Sequence, residues 1–361
     1  MAVAWIGNRE TLVEHAAERA AALLHSSRCP VITFDTDIHG TRAAIALAER
    51  VGAAYDHENS STALAREAAL FTDKGGMFIA PGEVRRRADV VVIVGALPEA
   101  HLDFVAALAD TAPDLSPGNA RAFFLIGDGS APRSIAGRQV TRLACPGGVA
   151  ATLATSRAQH AGRPVTSTAS HFATFEVALG QARFPVFLFS GEACDPLALE
   201  MLQGLIGDIN RKSRASALHL PASDSGWGGT LASTWSTGFP PRTGFGRGFP
   251  EHDPWRFDAS RMIGSGEADV HLRVARNPGM RRADVDDVAL IAIESATRPV
   301  ADAEVTIAIG EAGIDHDGVL YSSRIGTLAA VRASAASDLP SAASILRAIA
   351  EHLPQADAPA C

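Results

Sequence analysis

Lysine is almost missing from this chain: Lys74 and Lys212 are its two lysines, against thirty arginines. Such a bias follows the codon composition of a GC-rich genome and says little about function. It does exclude a Gly-x-x-x-x-Gly-Lys-Ser/Thr phosphate loop, because neither lysine is placed to supply one. Cysteine is equally thin. Cys29, Cys145, Cys194 and Cys361 are scattered with no Cys-x-x-Cys pair, which excludes a structural zinc or a cysteine-bound iron–sulfur cluster by spacing. They read as small buried hydrophobes plus a free thiol in the tail. No apolar run approaches the roughly 20 residues that cross a bilayer; the longest centres on Val90–Val94. The start, "MAVAWIGNRE", has no basic segment leading into an apolar one, so no export signal is expected and the cytoplasm is the expected location. With a formal net charge of −8 there is no bulk attraction to nucleic acid.

What is present is a chain of 361 residues, 47% hydrophobic and 20% charged, enough for two or three domains with real cores. Residues 8–26 have helical spacing, with Leu12, Ala16, Ala20 and Leu23 on one face. "PVITFD" (30–35) predicts a buried strand and "HGTRAAIALAERVG" (39–52) a helix ended by glycine. "RRRADVVVIVGA" (85–96) and "ARAFFLIGDG" (120–129) continue the alternation with apolar runs suited to parallel strands covered on both faces. The fold class is therefore α/β, with doubly wound domains. "RCPVITF" (28–34) is echoed by "RFPVFLF" (183–189), and "GEVRRRADVVVIVG" (82–95) by "GSGEADVHLRVA" (264–275). The echoes predict a duplicated architecture. The expected division is a first α/β domain over 1–160 and a second over 161–335. The second carries a Gly/aromatic-rich insertion at 221–257 and a β-hairpin at 303–331. A helix begun by Pro340–Ser341 and a tail complete the chain over 336–361.

The stretch "TWSTGFPPRTGFGRGFPEHDPWRF" (234–257) has neither helical nor strand period. Its glycines allow close backbone approach, and its aromatics and arginines can hold a flat or anionic group. From the residues alone it is a working site, a dead one or a packing loop. The turn after Phe34, "DTDIHGTRA", lacks Gly-x-Gly-x-x-Gly, so an ordinary dinucleotide fingerprint is absent. "GWGG" (226–229), "TGFGRGFP" (243–250) and "GSGE" (264–267) read as structural glycines. Asp37 in "DIHG" reads as a helix cap, and "DHDG" (315–318) as a hairpin turn with Gly318 at positive φ. The histidines are dispersed, and no Ser-His-Asp set or nucleophile elbow can be assembled.

The segment "TWSTGFPPRTGFGRGFPEHDPWRFDASRMIGSGEADVHLRVARNP" (234–278) closely resembles the corresponding stretch of the B subunit of formylmethanofuran dehydrogenase, and "GEVRRRADVVVIVGALPEAH" (82–101) resembles a strand of its first α/β domain. That family is related to formate dehydrogenase. The resemblance implies two Rossmann-like domains of the molybdopterin oxidoreductase type. It also exposes departures. Catalytic members carry an N-terminal iron–sulfur domain, whereas this sequence starts at the first α/β unit. They bind molybdenum or tungsten through cysteine or selenocysteine, at a position that falls near Ser60, Ser61 and Thr62, where there is no cysteine. Arg247 matches an arginine that faces their active site. A soft metal would lack its thiolate and electrons an exit cluster.

The resemblance extends to the formyltransferase/hydrolase assembly of methylotrophic bacteria, whose B subunit is a shortened relative of the redox subunit. It implies a cofactor-free, non-catalytic subunit that binds no metal and sits beside the A (hydrolase), C and D (formyltransferase) subunits. The assembly converts formyl-tetrahydromethanopterin to formate through a methanofuran-like carrier. Trp235, Phe239, Arg242, Phe245, Phe249, Trp255 and Arg256 are then expected at an interface or against the carrier. Two alternatives stand beside this reading: a molybdopterin-binding oxidoreductase with Ser60, Ser61 or Thr62 as oxygen ligand, and a binding module for an acidic carrier.

Overall fold

The computed structural model describes residues 3–58, 62–73, 75–115, 120–127, 134–135, 138–166, 169–192, 194–276 and 288–354. The chain divides into two compact units. One comprises Met1–Ser60, Asp224–Tyr321 and Leu328–Cys361; the other comprises Ser61–Ser223 and Ser322–Thr327. This corrects the expected cut at residue 160. The strand Pro30–Asp35 pairs with Val270–Ala275, so the first unit needs both ends of the sequence. The terminal helix Ala342–Glu351 is no separate element either, because Ile345, Leu346 and Ile349 are buried in the first unit's core.

Five parallel strands form the centre of the first unit, in the order Ala54–His57, Pro30–Asp35, Val270–Ala275, Ala289–Glu294, Ala303–Ala308. Antiparallel pairs, Thr243–Gly244 with Glu251–His252 and Ala4–Ile6 with Arg9–Thr11, extend its two edges. Strand side chains alternate between faces. Ile32, Phe34, Leu272 and Val274 meet the helices Val13–Ser26, Ile38–Val51 and Ala342–Glu351 on one face. Val31 on the opposite face meets the helix Ala259–Gly264. Asp37 does cap its helix, accepting from the Gly40 amide at 2.9 Å, and Gly52 ends it at φ 68°. The "GWGG" run lies inside the helix Asp224–Thr237. A Cβ on Gly229 would stand 3.2 Å from Phe34 and 3.3 Å from His57. Glycine costs a helix about 1 kcal/mol relative to alanine; here close approach to the sheet offsets it.

Three local expectations are corrected. The first helix starts at Val13, because Gly7 at φ 55° turns residues 4–11 into an edge hairpin and leaves Leu12 exposed. The strand Ala303–Ala308 is inserted in the large sheet and is not part of the later hairpin, which pairs Gly318–Ser322 with Thr327–Val331. Gly313 and Gly326 hold the positive φ angles in that region, and Gly318 does not.

The second unit has five parallel strands in the order Ser216–His219, Pro185–Phe189, Val90–Val94, Ala122–Ile126, Thr141–Leu143. Val90, Val92 and Val94 face the helices Gly148–His160, Phe172–Gln181 and Pro196–Ile209. Val91 and Ile93 face Pro81–Arg87 and Leu102–Asp110. Two covered faces are why "VVVIV" is apolar at every position.

The sequence echoes are real, but the fold crosses them. In the first unit Pro30 opposes Val270, and in the second Pro185 opposes Val90. The residue before each valine is an aspartate. Asp269 accepts from the Arg28 and Cys29 amides at 2.8 and 3.1 Å; Asp89 accepts from the Arg183 and Phe184 amides at 2.7 and 3.0 Å. The main-chain carbonyl of each aspartate takes the first amide of the strand on its other side, Ala289 at 3.0 Å and Ala122 at 2.9 Å. Each aspartate therefore registers three strands. Each Pro-Val strand also leads into a helix capped by an aspartate, Asp37 or Asp195.

Asp89→Ala should lose roughly 2–4 kcal/mol, the loss of two charge-assisted bonds at a buried site, read by urea unfolding. Asp269 is more exposed and should cost less. Burial would raise its pKa, but the Ser27 hydroxyl and the Arg28 and Cys29 amides outweigh this and hold it low. Its contribution should be present above the ordinary aspartate value of about 3.9 and vanish as pH falls through the lowered one. A flat pH response of the Asp269→Ala difference would contradict the clamp.

Candidate functional site

Open α/β sheets place ligands beyond the carboxyl ends of their strands, where strand order reverses. In the first unit that point lies between Pro30–Asp35 and Val270–Ala275, and the protein's own charges occupy it. Thr33 donates its hydroxyl to Glu58 Oε2 at 2.5 Å and sits 2.8 Å from His271 Nε2. The single hydroxyl proton goes to the carboxylate, so the His271 ring must donate to the Thr33 oxygen. Arg273 bridges Glu58 Oε1 and Glu294 Oε2, both at 2.7 Å; Arg273 and Glu294 are buried and Glu58 is partly buried. Asp35 faces Arg276 at 3.3 Å and His57 at 4.0 Å. Burial alone would raise the Glu58 pKa. The Thr33 hydroxyl, Arg273 and His271 more than compensate and hold it low.

The matching point of the second unit lies between Val90–Val94 and Pro185–Phe189. Glu67, buried on the helix Thr62–Asp73, accepts from the Gly191 amide at 2.8 Å and the Ser190 hydroxyl at 3.2 Å. His219 Nε2 lies 3.2 Å from the same carboxylate. A Cβ on Gly191 would collide with the Ala63 carbonyl oxygen, so only glycine lets this helix lie so close. Burial, reinforced by the Asp195 charge, pushes the Cys194 thiol up to about 12, so the free thiol stays protonated at neutral pH. Among the described residues, no group of three or more His, Cys, Asp or Glu side chains could hold a metal ion. Ser60 and Ser61 lie outside the described residues. Thr62 opens the helix, with its side chain also outside them.

The stretch 234–257 comprises a helix end, a turn, the two short edge strands and a second turn. It is fastened from beneath. Tyr55 Oη lies 2.9 Å from Ser233 Oγ, which donates to the Phe239 carbonyl at 2.7 Å. Arg242, at φ 68°, gives its amide to the Tyr55 carbonyl and its guanidinium to Asp258 at 2.8 Å, Asp56 at 3.5 Å and the Pro254 carbonyl at 2.8 Å. Burial raises Asp56 to about 6 despite that arginine. Phe245 is 3% exposed and packs in the main core. Arg242 and Phe245, expected at an interface, thus hold the loop to the sheet, because the edge strand Thr243–Gly244 between them pairs with Ala54 and Tyr55.

The other candidates project outward. Trp235 is 62% exposed, Trp255 73%, Phe249 49% and Phe239 36%. Arginines stiffen them: Arg247 lies 5.2 Å from the Phe249 ring centre and Arg261 4.7 Å from that of Trp255. Arg247 also pairs with Glu251 at 3.0 Å, and Arg256 covers the buried Phe257 at 5.0 Å.

No protein-family model matches the chain. It is 36% identical over 360 residues to the B subunit of the formyltransferase/hydrolase complex Fhc of Methylorubrum extorquens, covering 97% of this chain and 98% of that one. The chain belongs to the family of Fhc B subunits. A chain in the X-ray structure of the FhcABCD complex from the same organism, in complex with methylofuran, superimposes with a TM-score of 0.84 at 34% identity. That match covers 96% of this chain and 98% of that one. A weaker likeness, 25% over 123 residues, links it to the B subunit of the tungsten-containing formylmethanofuran dehydrogenase 2 of Methanocaldococcus jannaschii. It covers 32% of this chain and 28% of that protein.

Within this chain of the Fhc B type, sequence reading missed Glu58, Glu67, His219, His271, Arg273 and Glu294. Their partners are remote in sequence. The available signal was charge inside apolar strands, as in "VHLRVA" (270–275) and "ALIAIE" (289–294).

Arg273→Met should cost roughly 3–5 kcal/mol at neutral pH by stranding two buried carboxylates. The pH dependence separates charge from packing. Glu58 in the intact protein stabilises above the ordinary glutamate value of about 4.3 and ceases to as pH falls through its lowered pKa. In Arg273→Met the same carboxyl should titrate above the ordinary value, so the penalty should shrink on acidification toward pH ~5. Urea unfolding across pH reads this, and a pH-independent penalty would refute the ionic account.

Proposed function

We propose that this chain is a non-catalytic structural subunit of a cytoplasmic formyltransferase/hydrolase complex in one-carbon metabolism. It carries two Rossmann-like units of the molybdopterin oxidoreductase type without metal, pterin or iron–sulfur cluster. Its role is to hold the A (hydrolase), C and D (formyltransferase) subunits while formyl-tetrahydromethanopterin is converted to formate through a methanofuran-like carrier. The observation that carries this reading is the occupation of both strand-end crevices by the chain's own buried residues, Arg273 with Glu58 and Glu294 in one and Glu67 with His219 in the other. The full-length likeness to the Fhc B protein supports the assembly role, and the likeness to the tungsten-containing enzyme supports the redox ancestry.

On this reading Ser60, Ser61, Thr62 and Arg247 are vestiges of a metal site. Trp235, Phe239, Phe249 and Trp255 form the docking face, with Arg256 at its edge. Truncating exposed aromatics at an interface centre removes roughly 2–4 kcal/mol each. Trp235→Ala combined with Phe249→Ala should therefore weaken co-purification of the partner subunits at least about a hundredfold while leaving the chain's melting temperature near wild type. An intact complex with wild-type stoichiometry would refute the docking face. Metal and pterin analysis of the native complex tests the other half: stoichiometric molybdenum or tungsten traced to this chain would overturn the cofactor-free reading, whereas Ser60→Ala and Thr62→Ala should leave complex activity unchanged.

A further inference from the structure

The helix Phe172–Gln181 of the second unit turns one residue the unexpected way. Its sequence, "FATFEVALGQ", contains a single ionisable side chain, Glu176. Phe172, Phe175 and Leu179 face the core at the three- and four-residue intervals that share one face. Glu176 is drawn in beside them, its side chain 12% exposed, while the neighbouring Val177 is 58% exposed. A carboxyl thus sits where an apolar group would stabilise, and an apolar group where a carboxyl would be solvated. The proposed scaffold role does not use this arrangement.

The helix Gly148–His160 receives that carboxyl with two residues four apart on one face. Ser156 donates its hydroxyl to Glu176 Oε1 at 2.5 Å, and His160 Nε2 lies 3.4 Å from Oε2. That nitrogen is buried and makes no other hydrogen bond among the described residues. The remaining charges near the pair come from the helix Pro196–Ile209 and the turn after it. Asp208 is held by Arg157 at 3.0 Å and by Arg211 at 3.4 Å, and Lys212 adds positive charge toward His160. The strand Ala122–Ile126 contributes an apolar contact, Phe124, whose ring centre is 5.4 Å from that of Phe175. The helix Phe172–Gln181 is held unequally at its two ends. It is entered through His171, at φ 60° and without a side-chain cap, whereas just past its exit the Arg183 and Phe184 amides are fixed by Asp89.

Counting protons shows what the pair does. With the helix lifted, both groups are in water. Between the ordinary glutamate value of about 4.3 and the ordinary histidine value of about 6.5, the acid is then a carboxylate and the ring an imidazolium. One titratable proton is present, on His160. With the helix docked, both groups are desolvated, and burial favours the uncharged form of each. Burial pushes Glu176 up to about 7 although the Ser156 hydroxyl opposes it. Burial and Lys212 hold His160 below its ordinary value although Asp208 opposes them. The proton then sits on the carboxyl, with Oε2 donating toward the Nε2 lone pair. Its number has not changed; only its bearer has.

We propose that docking of the helix Phe172–Gln181 passes one proton from His160 to Glu176 inside the protein, so that its attachment is insensitive to pH although either residue alone would make it a pH switch. The N–H bond broken on the ring and the O–H bond formed on the acid balance, with no proton exchanged with solvent. The joint does not rest on the scaffold reading, because it is tested on the full-length chain itself. Hydrogen–deuterium exchange of residues 172–181, corrected for the intrinsic pH dependence of exchange, reads how often the helix lifts. The two signs are opposite. Glu176 stabilises the docked helix fully below its ordinary value, and that contribution is lost as pH rises through about 7. The His160 contribution is present above its ordinary value and lost as pH falls through its lowered one. Wild-type protection should therefore stay within about threefold from pH ~5 to ~6.5. Over the same range Glu176→Gln should lose about tenfold on acidification, and His160→Gln about tenfold on alkalinisation. The double variant should be flat again, which a merely structural role for either residue would not produce. Protection of Val90–Val94 should not change, because the joint is local. Thermal melting at pH ~6 checks that the variants fold, and if one single variant does not, the other decides against wild type. A tenfold slope in the wild type, a single variant as flat as wild type, two slopes of the same sign, or Val90–Val94 moving in step would overturn the proton exchange. None of these outcomes touches the docking face, whose readout is co-purification of the partner subunits.

Discussion

A carboxylate at the foot of one strand sets the register of each sheet. Proline opens the neighbouring strand in both units and has no amide to give the ladder, so the two amides before it run beyond the sheet. Asp269 takes those of Arg28 and Cys29, and Asp89 those of Arg183 and Phe184. The carbonyl of the same aspartate anchors the strand on the other side. In a parallel sheet buried on both faces, a slip of one residue would turn every side chain to the wrong layer. A fixed register puts Thr33 beside Arg273 and, two residues on, Asp35 beside Ala275. The ion network at the strand ends exists because of it.

The strand ends then show a single physical theme in two chemistries. Buried charge is tolerated only when paired and hydrogen-bonded. The first unit meets that condition with Arg273 between two glutamates, the second with Glu67 among two amide and hydroxyl donors and a histidine. Both arrangements satisfy buried charge from within the chain. Chemistry at the surface is the reverse. Trp235, Phe249 and Trp255 are exposed, and the loop carrying them is held by Arg242 and Tyr55 beneath it. Asp56 shows the tension in that fastening: its carboxyl is raised to about 6 although a guanidinium lies 3.5 Å away, because burial outweighs the pairing.

The elements written by local pattern were legible. Pro30–Asp35, Val90–Val94 and Ala122–Ile126 are strands because their apolar runs suit a sheet covered on both faces. Asp37, Gly52 and Ser341 mark helix ends through their own hydrogen bonds or φ angles, which depend on a few neighbouring residues. The glycines of "GWGG" read as structural, although their place inside a helix did not show, since helical glycine is explained only by the strand it approaches. The exposed aromatics at 234–257 were found by composition. Arg242 and Phe245 were grouped with them because composition does not register which side of a short strand faces the core.

The sequence by itself determined an α/β protein, the ends of its main helices, the strands buried on both faces, the loop that carries its exposed aromatics and the family it resembles. It also contained the paired echoes around residues 28 and 183 and around 89 and 269. Only the tertiary structure decided how those echoes combine: Arg28–Pro30 docks on Asp269 and Arg183–Pro185 on Asp89, so a repeat that looks sequential is assembled crosswise. The pairing of Glu58 with Arg273 and of Glu67 with His219 was likewise settled in three dimensions. Helical and strand periods are properties of neighbours along the chain, whereas pairing a charge or a strand depends on which distant segment long-range packing brings within a few ångströms.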